Sequence, residues 1–160
     1  MKRKQSGFSL IELLIVVAII LILAAIAIPN LIMSKMTANE ASAVQTLRDI
    51  NTAESVYIVE FGTGFSPDLP SLGGTSGTAT PSNALLIPDP VAQVPNTKDG
   101  FGFAYVVTAN NNPSNSPSNY TVNANPTNPG TSGRRWFFTD ETMVIRANSV
   151  GPATANDPSI

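Results

Sequence analysis

The 160-residue chain contains no cysteine and no histidine. Without cysteine no disulfide can staple the fold, and no thiolate is available as nucleophile or metal ligand. Without histidine the commonest general base and the usual zinc ligand are missing. Catalysis would fall to carboxylates or lysine, and no arrangement of them stands out, so neither an enzyme nor a cofactor is expected. Charge is scarce as well: nine basic residues stand against eleven acidic ones. Lys2, Arg3 and Lys4 supply three of the nine, so without residues 1–7 the balance is 6 − 11 = −5. Nucleic-acid surfaces need clustered Lys and Arg, and the later doublet Arg134-Arg135 is too short to make one. The glycine-rich "GGTSG" (73–77) lacks the Lys-Ser/Thr of a phosphate loop and reads as a flexible connection.

What the chain has is a long apolar run. Every residue from Leu13 to Ile28 is apolar, and past Glu12 the run continues back through Ile11 and Leu10, then over Ser9 to Phe8. As a helix, residues 8–28 span about 30 Å, enough for a bilayer core. Lys2, Arg3 and Lys4 precede the run and Lys35 alone lies close on its far side. The positive-inside rule keeps the N-terminus in the cytoplasm and sends the chain after Pro29 outward. Glu12 is the anomaly, because a charge at the centre of such a helix costs roughly 2.5–3.5 kcal/mol and is usually functional.

Residues 30–61 remain helical in pattern. Val44, Leu47, Ile50, Tyr57 and Phe61 fall on one face, while Arg48, Asp49 and Glu60 lie elsewhere on the wheel. Pro29 separates this stretch from residues 8–29, where it removes a backbone donor and is expected to kink or loosen a continuous helix of about fifty residues. Residues 62–100 are rich in Gly, Pro, Ser and Thr and read as a connecting loop. Strand-like runs follow at 101–107, 120–124, 134–138 and 142–147, with "TDE" (139–141) as a tight turn, and residues 148–160 form a tail. The expected fold is α+β: a long N-terminal helix, membrane-spanning in its first half, packed on a small antiparallel sheet of three to four strands between residues 101 and 147.

The stretch "KRKQSGFSLIELLIVVAIILILAAIAIPN" resembles the N-terminus of type IV pilins and type II secretion pseudopilins. The resemblance rests on a basic leader ending in Gly7, then Phe8, an apolar helix with Glu12 at its fifth position, and Pro29 further along. It implies cleavage by a prepilin peptidase between Gly7 and Phe8, and N-methylation of Phe8. It further implies extraction from the inner membrane by an assembly platform and its ATPase into a helical homopolymer. The chain would span the inner membrane once before assembly, then join an extracellular type IV pilus as a structural subunit or, alternatively, a type II secretion or competence pseudopilus in the periplasm. Cleavage creates a cationic amine on Phe8, and an unpaired ion buried in a helix bundle is heavily penalised. Pairing Glu12 with the amine of an adjacent subunit would relieve both ions and fix register, as a buried polar residue does in coiled coils. An ordinary signal peptide cut after "AIA" (25–27), or a generic signal anchor, explains neither Gly7-Phe8 nor Glu12. A membrane-anchored or secreted periplasmic protein, carbohydrate-active or binding, is the alternative from another class; it would need separated carboxylates converging in a cleft.

Other residues raise smaller questions. Asp140-Glu141, with Asp99 or Asp89, could suggest calcium, as in major pseudopilins, but an oxygen cage needs six to eight ligands. A solvated turn is the simpler reading, and no metal site is assigned. Glu54 lies within the apolar stripe, where it should either pair with Arg134, Arg135 or Arg146 or face water near the helix end. The aromatic residues Phe101, Phe103, Tyr105, Trp136, Phe137 and Phe138 are expected to pack the core. The missing cysteines remove the disulfide that closes the C-terminal loop of many pilins.

Overall fold

A computed structural model describes residues 8–74, 77–109 and 117–160. The leader, Gly7 included, and part of the asparagine-rich loop at 110–119 lie outside the described residues. The chain divides into two compact units, residues 1–35 and 36–160. Helix α1 (Leu10–Phe61) contributes to both.

In the first unit, α1 begins after Ser9, in the spacing Ser9-Leu10-Ile11-Glu12 that marks a capping box. The Ser9 N–H donates to Glu12 Oε2 at 3.0 Å. The carboxylate therefore satisfies a backbone donor at the positive end of the helix dipole. The chain stays helical on both sides of Pro29, although proline has no N–H to give the carbonyl four residues back. The apolar residues of this unit face outward; Phe8 is 84% and Leu10 79% exposed.

In the second unit the same helix packs on a sheet. Val44, Leu47, Ile50 and Tyr57 are buried as the 3–4 spacing requires, and Phe61 is half-buried against them. The helix ends at Gly62, whose positive φ of 65° suits a residue without Cβ.

The sheet is antiparallel throughout and has five strands in the order β1-β2-β3-β4-β5, more than the three to four expected. They are β1 (Thr97–Lys98), β2 (Phe101–Ala109), β3 (Pro117–Pro126), β4 (Trp136–Asp140) and β5 (Arg146–Asn148). The additional strand comes from the end of the supposed loop. Asp99 and Gly100, with φ of 47° and 75°, form the two-residue turn that joins β1 to β2. Register pairs Tyr105 with Val122, Val122 with Thr139, and Phe137 with Ala147. The fourth strand starts later than the pattern implied, at Trp136, and includes Thr139 and Asp140; the turn falls at 141–142.

Residues 62–100 do more than connect. They carry two short helices, α2 (Leu69–Leu72) and α3 (Asp89–Ala92), and bury Leu69, Leu72, Ala84, Ile87 and Val91 in the core. Asp68 caps α2 by accepting from the Ser71 N–H at 2.8 Å. The C-terminal tail lies along β5: the Ala147 N–H donates to the Pro158 carbonyl, and the Ile160 N–H to that of Ile145. Asp157 holds the intervening loop, accepting from the Thr154 N–H at 2.7 Å and from Asn148 Nδ2 at 2.9 Å. These bonds hold the Asp157 carboxyl below its ordinary value.

Candidate functional site

The residues singled out by sequence divide between the units. In the first, Phe8 and Glu12 sit at the start of α1, both exposed. Among the described residues no cation pairs with Glu12. Leu10, Leu13, Leu14, Val17, Ala18 and Leu21 form a continuous apolar strip along the same helix. Pro29 follows Glu12 by 17 residues, about 26 Å along a regular helix. The site is thus one carboxylate at the head of an uninterrupted apolar surface, with Gly7 beyond the described residues.

In the second unit, Glu54 meets neither expectation. It is fully buried, so it does not face water, and among the described residues no arginine pairs with it. Instead it accepts from the Ser66 N–H at 2.9 Å, the Ser66 hydroxyl at 2.6 Å and the Tyr105 hydroxyl at 2.5 Å. Burial raises its pKa above the ordinary 4.5, against the opposing pull of these donors. Burial also pushes the Tyr105 and Tyr120 phenols up.

Arg135 pairs with Glu40 instead, at 2.8 Å. Glu40 also accepts from the backbone N–H groups of Arg134 and Arg135. Gly133 permits this approach: a Cβ there would lie 2.6 Å from the Phe101 ring. Glu40 lay on the same helical stripe as Val44 and Leu47, so its burial had a visible signal; the partners of Glu54 had none. Arg146 donates to the carbonyl of Asp157. A third buried polar group, Asn51, accepts from the Tyr120 hydroxyl and donates to Thr139 Oγ1, tying α1 to β3 and β4.

Two of the acids considered for calcium, Asp140 and Asp99, are engaged separately. Asp140 accepts from the backbone and hydroxyl of Thr142, closing its own turn, while Asp99 accepts from Ser42 in the β1–β2 turn. Among the described residues no group of three or more potential ligands could hold a metal. An open groove of about 760 Å³ beside α1 is lined by Val56, Val59 and Met143, with Arg48 and Glu60 among the polar residues. Glu60 is its single carboxylate, which does not meet the two-carboxylate requirement of the binding-protein alternative. Phe101, Phe103 and Phe137 lie in the core and Tyr105 packs against it, with ring pairs Phe101–Phe137 and Tyr105–Tyr120; Trp136, expected there too, is only half-buried and lies outside it.

An apolar N-terminal helix with one isolated carboxylate, continuing into a helix packed on an antiparallel sheet, defines a pilin-like architecture. Residues 2–28 match the prokaryotic N-terminal methylation motif, so the chain carries the prepilin signature. It is 38% identical over 114 residues to the type IV major pilin protein PilA of Myxococcus xanthus, covering 62% of this chain and 52% of that one. It is 37% identical over 84 residues to the type IV wide pilus major component PilA4 of Thermus thermophilus, covering 52% and 63%. The type II secretion system core protein G of Aeromonas hydrophila is 39% identical over 56 residues, covering 35% and 39%. The chain thus spans about half to just under two-thirds of the pilins it matches. No solved structure matches it.

Proposed function

We propose that the chain is a structural, non-catalytic subunit of a type IV pilus, assembled from the inner membrane after its leader is removed. The observation that carries this reading is the coincidence, within residues 2–28, of the methylation motif with an apolar helix broken only by Glu12. Similarity to two pilus components supports it. Prepilin peptidase cuts between Gly7 and Phe8 and the new amine on Phe8 is methylated. The platform and its ATPase then move the subunit from its single-pass membrane state into a helical homopolymer. Within the fibre Glu12 pairs with the Phe8 amine of a neighbouring copy, and Pro29 provides the point where the packed helix bends.

Mass spectrometry of the mature chain tests this directly. The expected N-terminus is methylated Phe8, and the chain should be recovered in sheared surface filaments. A mature chain beginning at Ile28 would establish an ordinary signal peptide and end the reading. The similarity to a type II secretion core protein favours a second reading, a periplasmic pseudopilus subunit. Recovery in the envelope alone, with protein export lost on deletion, would decide for it.

A further inference from the structure

The proposed function leaves Glu54 without a role, and its setting is unusual. A carboxyl group with no accessible surface has no cation beside it, but two hydroxyls and one amide converge on it. The same two hydroxyls also reach backbone carbonyls. Tyr105 Oη lies 3.0 Å from the carbonyl of Ser66, and Ser66 Oγ lies 3.2 Å from that of Asp68. Each hydroxyl has one proton and more than one acceptor in reach, the two oxygens also lying 3.0 Å from each other, so an ionised and a protonated hydrogen-bond pattern share one set of heavy atoms.

When Glu54 is ionised, both hydroxyls donate to its Oε1 and the Ser66 and Asp68 carbonyls lose those donors. When Glu54 is protonated, its own O–H donates to one of the hydroxyl oxygens. Ser66 and Tyr105 can then turn their protons onto the two carbonyls, closing the network without a net charge. The protonated pattern gives the carbonyl of buried Ser66 a donor and avoids an uncompensated ion.

We infer that Glu54, Ser66 and Tyr105 form a proton-operated latch, closed when Glu54 carries a proton, that fastens the segment after α1 to that helix and to β2. The groups facing it leave the proton as the variable. Ser66 comes from the segment, Tyr105 from β2 and Tyr120 from β3, and none is a cation. Asp140 and Glu141 act on Tyr120 and add only negative charge. Of the arginines considered as counter-ions, Arg135 pairs with Glu40, and Arg146 donates through one terminal nitrogen to the Asp157 carbonyl while its buried Nε has no partner.

The sign follows from linkage. The folded carboxyl binds its proton more tightly than the unfolded one, whose ordinary value is 4.5. Its contribution is therefore full below that value and is lost as pH rises through the folded pKa. The segment at 62–68 should be firmest in mild acid and loosen towards alkaline pH.

The test uses the full chain in detergent micelles. The Glu54 side-chain carboxyl carbon is followed by NMR, and amide exchange across residues 62–68 is measured from pH 4 to 9 and corrected for intrinsic chemistry. The carboxyl midpoint should lie above 4.5, and local opening should increase by up to about tenfold per pH unit between that ordinary value and the midpoint, levelling off above it. E54Q should abolish the dependence. Y105F and S66A each remove a donor to the anion and should move the midpoint upward; they decide the matter if E54Q does not fold. A midpoint at or below the ordinary value would overturn the latch. So would a pH slope that persists in E54Q, or a midpoint unmoved in both Y105F and S66A.

Discussion

The two units treat apolar surface in opposite ways. Residues 8–35 present almost all of theirs outward and hold one carboxylate bonded to a backbone N–H. Residues 36–160 bury a core of apolar side chains and with it several polar ones, Glu40, Asn51 and Glu54 among these. The first unit has no core of its own, so its stability must come from lipid or from other copies of the helix. The second spends part of its interior on polar groups, most of them supplied with a partner; among the described residues Asn125 Oδ1 and Arg146 Nε are buried without one. Substitutions should therefore break assembly in one unit and folding in the other.

The largest effect expected from a single change is in the first unit. Glu12→Gln keeps the shape and removes the charge proposed to meet the Phe8 amine. Processing and membrane insertion should persist, while filament yield falls to little or nothing, as scored by shearing and immunoblot. Normal filaments from this variant would remove the docking role. Accumulation of uncleaved precursor would assign Glu12 to processing instead. The comparison would then fail, because the carboxylate would serve the monomer.

In the second unit the largest effects should come from the helix face. Leu47→Ala or Ile50→Ala should cost about 2–5 kcal/mol in chemical denaturation, since both side chains are fully buried. Neither should change where the leader is cut. Smaller losses separate the two partners of the ion pair. Glu40→Ala strands two backbone N–H groups and should cost about 1–3 kcal/mol. Arg135→Ala should cost under about 1 kcal/mol, because its side chain is 46% exposed. Equal costs at both positions would show that charge, and not the backbone bonds, makes this contact.

The smallest effect is local and appears only in acid. The lowered Asp157 carboxyl contributes above its ordinary value of 3.8 and loses that contribution as pH falls below it. Exchange at the Thr154 amide should accelerate there, while amides beside Leu47 and Ile50 remain protected. This window lies below that of Glu54, so one acid titration separates the two sites.

How much of this was legible depended on whether the signal was local. The apolar run, the isolated Glu12 and the stripe Val44-Leu47-Ile50-Tyr57 are periodic patterns, and each was read from spacing alone. The β1–β2 hairpin was also written locally, in Asp99-Gly100, but the surrounding glycine and proline masked it. The segment after Gly62 was read as a connection because its buried residues follow no period; Leu69, Ile87 and Val91 are placed by long-range packing. Glu54 was recognised as misplaced on the wheel, but the wheel cannot say what will face it. Ser66 and Tyr105 reach it from 12 and 51 residues away, and no spacing rule joins them.

The C-terminal tail carries one more consequence. It is secured to β5 by backbone bonds and by Asp157, where many pilins use a disulfide. With no sulfur–sulfur bond to form, folding of this chain needs no oxidant and no thiol–disulfide isomerase. A reducing or anoxic medium leaves such a subunit unchanged, and reductants that open bridged relatives have nothing here to attack. The same tail gives way to heat or denaturant at the rate its hydrogen bonds open. Its endurance is a matter of temperature and acidity, independent of redox potential.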